Sequence, residues 1–220
     1  MLKQRIAETT QGIEGEITVS VYDRFSRNMR DKGWIDLDNV LKSGIKNGNV
    51  LEIGPGPGYL GLEWLKRSPG SELTGCEISK DMIKLAAKNA KDYGLETKAC
   101  YVEGNSMHMP FGDETFDGVF TNGSMHEWEE PIKVFDEIYR VLKSGGLYCI
   151  TDLRRDVNPF VKRLIYFTTQ PKEIRPGLIT SLNSSYTVSE IKEITDNSAL
   201  KMCKIEKEFF GLCISGKKQQ

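Results

Sequence analysis

The sequence predicts an α/β fold, a parallel sheet with helices on both of its faces. Three observations carry that prediction. The apolar stretch Val50-Leu-Glu-Ile53 runs straight into a turn with glycines at 54, 56 and 58, and a helical pattern follows at once. Strand and helix patterns then alternate from residue 50 to residue 152, as βαβ units do. The connections carry helix-ending chemistry, with Tyr93-Gly94 and Lys143-Ser-Gly-Gly146 at helix-to-strand turns.

Taken in order, Ile17, Val21, Phe25 and Met29 recur every four residues and predict an amphipathic helix laid across something else. Gly33-Trp34 breaks it, and a short helix begins at Asp36 and runs through Ile45. The alternation that follows predicts strand 50–53, helix 58–67, strand 72–77, helix 80–93, strand 97–102, strand 116–121, helix 130–143 and strand 146–152. Ser79 caps the second of those helices, whose apolar stripe is Met82, Ile83, Leu85, Ala86 and Ala90. Pro159, Pro171, Pro176 and Gly177 break the rhythm over 154–186, which reads as an insertion over the sheet with one helix at 159–168. Thr187-x-x-Glu190 is a capping-box pattern for a last helix, and strands at 200–206 and 208–215 close the chain around Glu208.

With 220 residues and 39% apolar content, one domain is expected. Its parts are an N-terminal helical lid at 1–46, a cofactor-binding core at 48–152, a cap insertion at 153–186, and a final helix and strand pair at 187–220. A net charge of −1 leaves no global electrostatic footprint for nucleic acid or an anionic membrane, local patches aside, and no nucleic acid is expected as a partner. The five cysteines are widely spaced, without C-x-x-C or zinc spacing. They predict thiols in a reducing cytoplasm and no metal centre. No apolar run has membrane-spanning length, and the sequence does not fix an oligomeric state.

The spacing of the glycines discriminates between nucleotide loops. The dinucleotide fingerprint G-x-G-x-x-G, read from Gly54, meets Tyr59 where its last glycine should stand, and no Gly-Lys-Ser/Thr follows for a phosphate loop. Leu51-Glu-Ile-Gly-Pro-Gly-Pro-Gly58 instead resembles the E/D-x-G-x-G-x-G signature of class I S-adenosylmethionine-dependent methyltransferases. Further segments agree in order. Glu77, nineteen residues past Gly58, matches the acidic residue that receives both ribose hydroxyls in that family. Gly104-Asn-Ser-Met-His-Met-Pro-Phe111 resembles the G-D-A-x-x-L-P-F segment at the adenine edge, with Asn105 in place of the usual Asp. Phe116-Asp-Gly-Val-Phe-Thr-Asn122 and Arg140-Val-Leu-Lys-Ser-Gly-Gly-Leu147 resemble the fourth strand and the turn before the fifth. Ser124-Met-His-Glu-Trp-Glu-Glu-Pro131 resembles the S-x-H-H-W-E-D-P segment of the ubiquinone/menaquinone-biosynthesis branch, with Met125 at the first histidine position.

The resemblance implies a Rossmann-like, seven-stranded, mostly parallel sheet in the order 3-2-1-4-5-7-6 with the last strand antiparallel, and S-adenosyl-L-methionine as cofactor. It places the cofactor on Glu52, Gly54, Pro55, Gly56, Gly58, Glu77, Ile78, Asn105, Ser106, Met107 and Asn122. The sulfonium is already an activated electrophile, so methyl transfer to a small molecule needs alignment and exclusion of water. A base is needed only where the attacking atom must lose a proton. His126 and Asp152, after the fourth and fifth strands, are the candidates, with Tyr22 in the leading helix as a third catalytic position. For His126 the other reading is a loop anchor, and for Asp152 it is pairing with Arg154, Arg155 or a backbone amide. His108 and Trp128 read as packing residues, and Glu129-Glu130 as the start of a helix.

For the acceptor, Tyr22, Phe25, His126, Arg154 and Arg155 form the candidate set, and packing of Tyr22 and Phe25 on the rim of the sheet is the competing reading. Six basic residues against two acidic ones between Leu153 and Tyr186 suggest an anionic acceptor, although solvated surface helices are often basic. Two other functions stay open: methylation of RNA or protein, and a non-catalytic domain that senses S-adenosylmethionine. Thr121-Asn-Gly-Ser124 lacks the Asn/Asp-Pro-Pro-aromatic signature of many amine- and amide-directed enzymes and has no cysteine nucleophile, which weakens the first of these.

Overall fold

The computed structural model describes residues 5, 6 and 15–219. Its elements are α1 (Glu16–Asp31), α2 (Leu37–Lys42), β1 (Asn49–Ile53), α3 (Tyr59–Arg67), β2 (Glu72–Glu77), α4 (Lys80–Asp92), β3 (Ala99–Glu103), β4 (Phe116–Asn122), α5 (Pro131–Val141), β5 (Leu142–Leu153), α6 (Pro159–Thr168), α7 (Arg175–Ser184), α8 (Val188–Asp196), β6 (Lys204–Lys207) and β7 (Gly211–Lys217). The strands form one seven-stranded sheet in the order β3-β2-β1-β4-β5-β7-β6. β1 to β5 pair in parallel, and β7 runs antiparallel to both β5 and β6. The predicted order therefore holds.

Strand alternation sorts the core into two layers. Leu51 and Ile53 face a cluster with Trp128, Phe135, Ile138 and Ile191, while Val50 faces one with Leu37, Leu60, Trp64 and Leu65. Helix α5 contributes Val134, Phe135, Ile138 and Val141, a single apolar stripe. On the other face, buried Trp64 donates its indole N–H to the Ile45 carbonyl at 2.8 Å, which fixes the segment after α2 against α3.

Several boundaries move from their predicted places for local reasons. α5 ends at Val141, because Leu142 already pairs with Phe116; the register then shifts before Gly118 meets Leu147, which absorbs the Gly145-Gly146 turn. The last strands start later than expected, with Glu208 to Phe210 forming the turn between them. The insertion contains a second helix, α7, that its prolines and glycine concealed. Pro176 occupies the first turn, where a missing N–H costs nothing. The capping box at Thr187 forms, with Glu190 N–H donating to Thr187 Oγ1 and Thr187 N–H to Glu190 Oε2. The Ile17 side chain, and residues 1–4 and 7–14 of the expected lid, lie outside the described residues.

Replacing Trp64 by Phe leaves the buried Ile45 carbonyl without its donor. Urea unfolding of W64F is expected to show a loss of about 1–3 kcal/mol.

Candidate active site

The carboxyl ends of β1, β2, β3 and β4 converge where the strand order reverses between β1 and β4, and an open cleft lies there. One wall is the glycine turn. Gly54, Gly56 and Gly58 all have positive φ, at 62°, 52° and 82°, which only glycine adopts readily. Each also permits a close approach: a Cβ on Gly54 would fall 2.9 Å from Ser124 Cβ, and one on Gly58 would fall 2.7 Å from Tyr101 Oη. The Asn89 amide donates to the Pro57 carbonyl at 2.9 Å and ties the turn to α4.

Glu77, at the end of β2, holds the turn from the other side. Its Oε2 accepts from Gly56 N–H at 3.1 Å and its Oε1 from Ser79 N–H at 2.9 Å. Burial raises its pKa, and the N–H groups of Ser79, Gly56 and Ile78 oppose that rise. A carboxylate has about four lone-pair sites, so with three N–H groups drawing on it Glu77 keeps some acceptor capacity. Cys76, Ile78, Met82 and the loop Gly104–Met107 continue the lining. Within that loop Asn105 Oδ1 accepts from Met107 N–H at 2.9 Å. Asn105 thus shapes its own turn as well as facing the cleft.

The opposite wall is the segment after β4: Gly123, Ser124, Glu127, Trp128 and Glu129. A 3-10 turn at Met125–Glu127 carries it. Asp152, whose side chain is fully buried, anchors that turn by accepting from His126 N–H at 2.7 Å and from His126 Nδ1 at 2.8 Å, and it also accepts from Leu153 N–H. An ionised carboxylate only accepts, so Nδ1 is the donor to it, and Nε2 lies 4.0 Å from Glu127 Oε1. The His126 side chain is itself only 6% exposed and is not among the lining groups.

Helix α1 roofs the glycine turn. Tyr22 lines the cleft, and a Cβ on Gly56 would sit 3.4 Å from its ring. Phe25 packs behind Tyr22, with ring centroids 5.9 Å apart. Tyr59 Oη donates to Asp23 at 2.8 Å, and Arg30 donates to Tyr93 Oη, which in turn donates to Glu63, each at 2.9 Å. The leading helix is therefore latched to α3 and α4.

The structure brings Tyr22, Gly54, Gly56, Glu77, Ile78, Asn105, Ser106 and Met107 together on one cleft. It does not bring the others. Pro55 packs toward β2, where a Cβ on Gly75 would lie 3.0 Å from its ring, and Asn122 yields its expected place in the lining to Gly123 and Ser124. Arg154 and Arg155 are corrected more sharply. Arg154 pairs with Asp156 and donates to the Glu208 carbonyl, while Arg155 pairs with Glu190 and donates to the Ser185 carbonyl. Both are buried and hold the root of the cap. Among the described residues the cleft lining contains three carboxylates, Glu77, Glu127 and Glu129, and no lysine or arginine. The arginine-based reason for an anionic acceptor is thereby removed.

Glu52 is also corrected. Its side chain points under α3, and its Oε2 would lie 2.2 Å from a Cβ on Gly61, which explains the glycine inside that helix. Burial pushes its carboxyl up to about 8, the Gly61 N–H opposing and the charge of Glu77 adding to the rise. Sequence reading missed Trp128 and Glu129 as lining groups, since an aromatic and an acidic pair at a helix start have ordinary structural uses. Trp128 does pack edge-on against Phe135, as expected, while also facing the cleft.

Comparisons with known proteins agree with this geometry. Residues 51–150 match the family model described as a methyltransferase domain (Methyltransf_11). A solved structure of a candidate S-adenosyl-L-methionine-dependent methyltransferase from Methanococcus maripaludis superposes with a TM-score of 0.75, at 25% identity over 98% of both chains. An uncharacterized methyltransferase of Bacillus subtilis is 34% identical over 54% of this chain and 64% of its own length. Over residues 51–150 the chain is similar to the class I S-adenosylmethionine-dependent methyltransferases, and S-adenosylmethionine is the cofactor of that class. The similarity extends to the quinone-biosynthesis type of that class, for instance to the demethylmenaquinone methyltransferase of Thermus thermophilus, at 32% identity over 44% of this chain and 43% of that one. The chain spans about half the length of the curated relatives it matches, from 37% to 64% of the first three.

Glu52 gives a pH prediction. Its carboxyl titrates near 4.5 when unfolded and near about 8 when folded, so between those values the folded state holds the extra proton and stability falls as pH rises. Thermal unfolding of Glu52→Gln is expected to lose most of that slope and to exceed the parent's Tm at the alkaline end of the window.

Proposed function

We propose that this chain transfers the methyl group of S-adenosylmethionine to a small-molecule acceptor by in-line displacement. One observation carries the reading: the glycine turn with Glu77 and the Gly123–Glu129 segment face each other across a single cleft roofed by Tyr22. Bound S-adenosylmethionine supplies a sulfonium-activated methyl group, which leaves alignment and exclusion of water to the protein. In this reading Glu77 holds the ribose hydroxyls, Gly54 and Gly56 admit the cofactor close to the backbone, and Asn105, Ser106 and Met107 bound the adenine. Tyr22 covers the methionine end. Glu127, Trp128 and Glu129 form the acceptor side, and their carboxylates favour a neutral or cationic acceptor over an anionic one. The curated relatives that carry small-molecule names support the acceptor class. Five free cysteines support a reducing compartment, the cytoplasm.

In this reading His126 and Asp152 act as a positioning pair, because Asp152 secures the acceptor-side turn through both the ring and the backbone N–H of His126.

Incubating the purified chain and a cell extract with methyl-labelled cofactor tests the function. Label is expected in extractable metabolites; label in RNA or protein, or cofactor binding with no transfer anywhere, would sink the small-molecule reading. Glu77→Gln is expected to weaken cofactor affinity, measured by calorimetry, by about tenfold to a hundredfold, since hydrogen bonds to a charged acceptor carry about 1.5–3 kcal/mol.

The pair has its own test. His126→Asn keeps an amide donor for Asp152 and is expected to hold kcat within about threefold of the parent, whereas His126→Ala loses about tenfold or more. A kcat–pH profile whose acidic limb disappears in His126→Asn would instead assign His126 as a base.

A further inference from the structure

Helix α6 carries a face that the rest of the protein leaves uncovered. Phe160, Leu164 and Phe167 are 85%, 58% and 56% exposed. Spaced four and three residues apart, they form one stripe along the helix. Val161, Ile165 and Tyr166, on the inward side, are half-buried, and α6 packs against α7. Three large apolar side chains aligned on one exposed face differ from the scattered surface hydrophobes of any protein.

The charge around that stripe has one sign. Between residues 157 and 186 the chain has Lys162, Arg163, Lys172 and Arg175 against Glu173 alone. Glu173 lies 3.5 Å from Arg24 of α1. The Arg163 guanidinium lies over the ring of Phe167, 5.6 Å from its centroid, directly beside the apolar stripe. Arg175 donates to the carbonyls of Thr169 and Phe167 and stacks over Tyr166, so these contacts leave its positive charge in place.

From this placement we propose that α6 is an interfacial helix that docks the protein on an anionic lipid surface. An apolar aromatic face with basic residues at its border is the pattern of a helix that lies in the headgroup region. The complementary surface must be apolar and negative together. A bilayer leaflet containing acidic phospholipids meets both demands. A second copy meets only one, since two such faces packed about a twofold axis bring cations toward cations with no carboxylate in the stripe to offset them. No helix among the described residues is long and apolar enough to cross a membrane, so the contact is peripheral. α7 packs on the Met125–Glu127 turn, which places the lipid-facing layer on the acceptor side of the cleft. The proposal does not depend on which molecule accepts the methyl group.

Co-sedimentation of the full chain with vesicles tests it, using phosphatidylcholine alone and phosphatidylcholine with about one-third phosphatidylglycerol. Binding to the anionic vesicles is expected, with little to the neutral ones. Raising salt to about 1 M, where screening acts within about 3 Å, is expected to weaken it by about tenfold. The triple variant F160S/L164S/F167S is expected to bind at least about a hundredfold less well, while its circular dichroism and its affinity for S-adenosylmethionine stay those of the parent. Equal binding by the triple variant, or no binding to anionic vesicles, overturns the proposal. So does a dimer in sedimentation velocity that the triple variant dissolves while neither protein binds vesicles.

Discussion

The hydrogen bond from Gly56 N–H to Glu77 joins the ends of two neighbouring strands through the one turn that must stay open to a ligand. A turn of three left-handed glycines has little conformational preference of its own, and its entropy of ordering is the highest of any residue type. Glu77 and Asn89 hold it, from the ends of β2 and α4, and Tyr22 covers it. Without that carboxylate, the parallel register of β1 and β2 would still form, but the backbone N–H groups would not be held facing the cleft. The carboxylate of Glu77 thus holds the turn through backbone N–H groups while lining the cleft.

The wall after β4 follows a different plan. There the backbone is held by a buried acid, Asp152, which reaches from β5 to the turn after β4 and satisfies three donors. A buried carboxylate with three hydrogen bonds suits a rigid wall, and its histidine is part of that wall. The two sides differ in permanence as well. The glycine side has direct backbone constraints, whereas the wall after β4 also packs on the chain that follows β5, whose root Arg154 and Arg155 fasten through ion pairs and carbonyls.

What the sequence made legible follows that division. The glycine turn, Ser79 cap, capping box and the acid at Glu77 are all local in sequence or fixed by spacing, so residues a few positions apart reveal them, whereas the strand order followed from the family resemblance. Asn105 was readable as a site residue but not as the acceptor of its own loop amide. Arg154 and Arg155 were legible as cations and illegible as structure, because Glu190, which pairs with Arg155, and the Glu208 carbonyl, which Arg154 meets besides the nearby Asp156, lie dozens of residues away. Glu52 shows the same gap from the other side: the signature names it, but only the packing of α3, through Gly61, shows that its carboxyl turns away from the cleft. The helix α7 was hidden because proline reads as a breaker unless the helix start is already known.

The fastening at the root of the cap has a wider consequence. Arg155 N–H donates to the Tyr186 carbonyl and its guanidinium to the Ser185 carbonyl, so the chain that leaves β5 comes back beside its point of departure before it enters α8. Everything between is a closed excursion, clasped at its base. Lengthening such an excursion costs only about 0.6 kcal/mol for each doubling, because its ends stay where they are. The segment that bears α6 and α7 is thus an exchangeable module, free to diverge in size and surface while the sheet, the glycine turn and the Asp152 anchor beneath it stay unchanged.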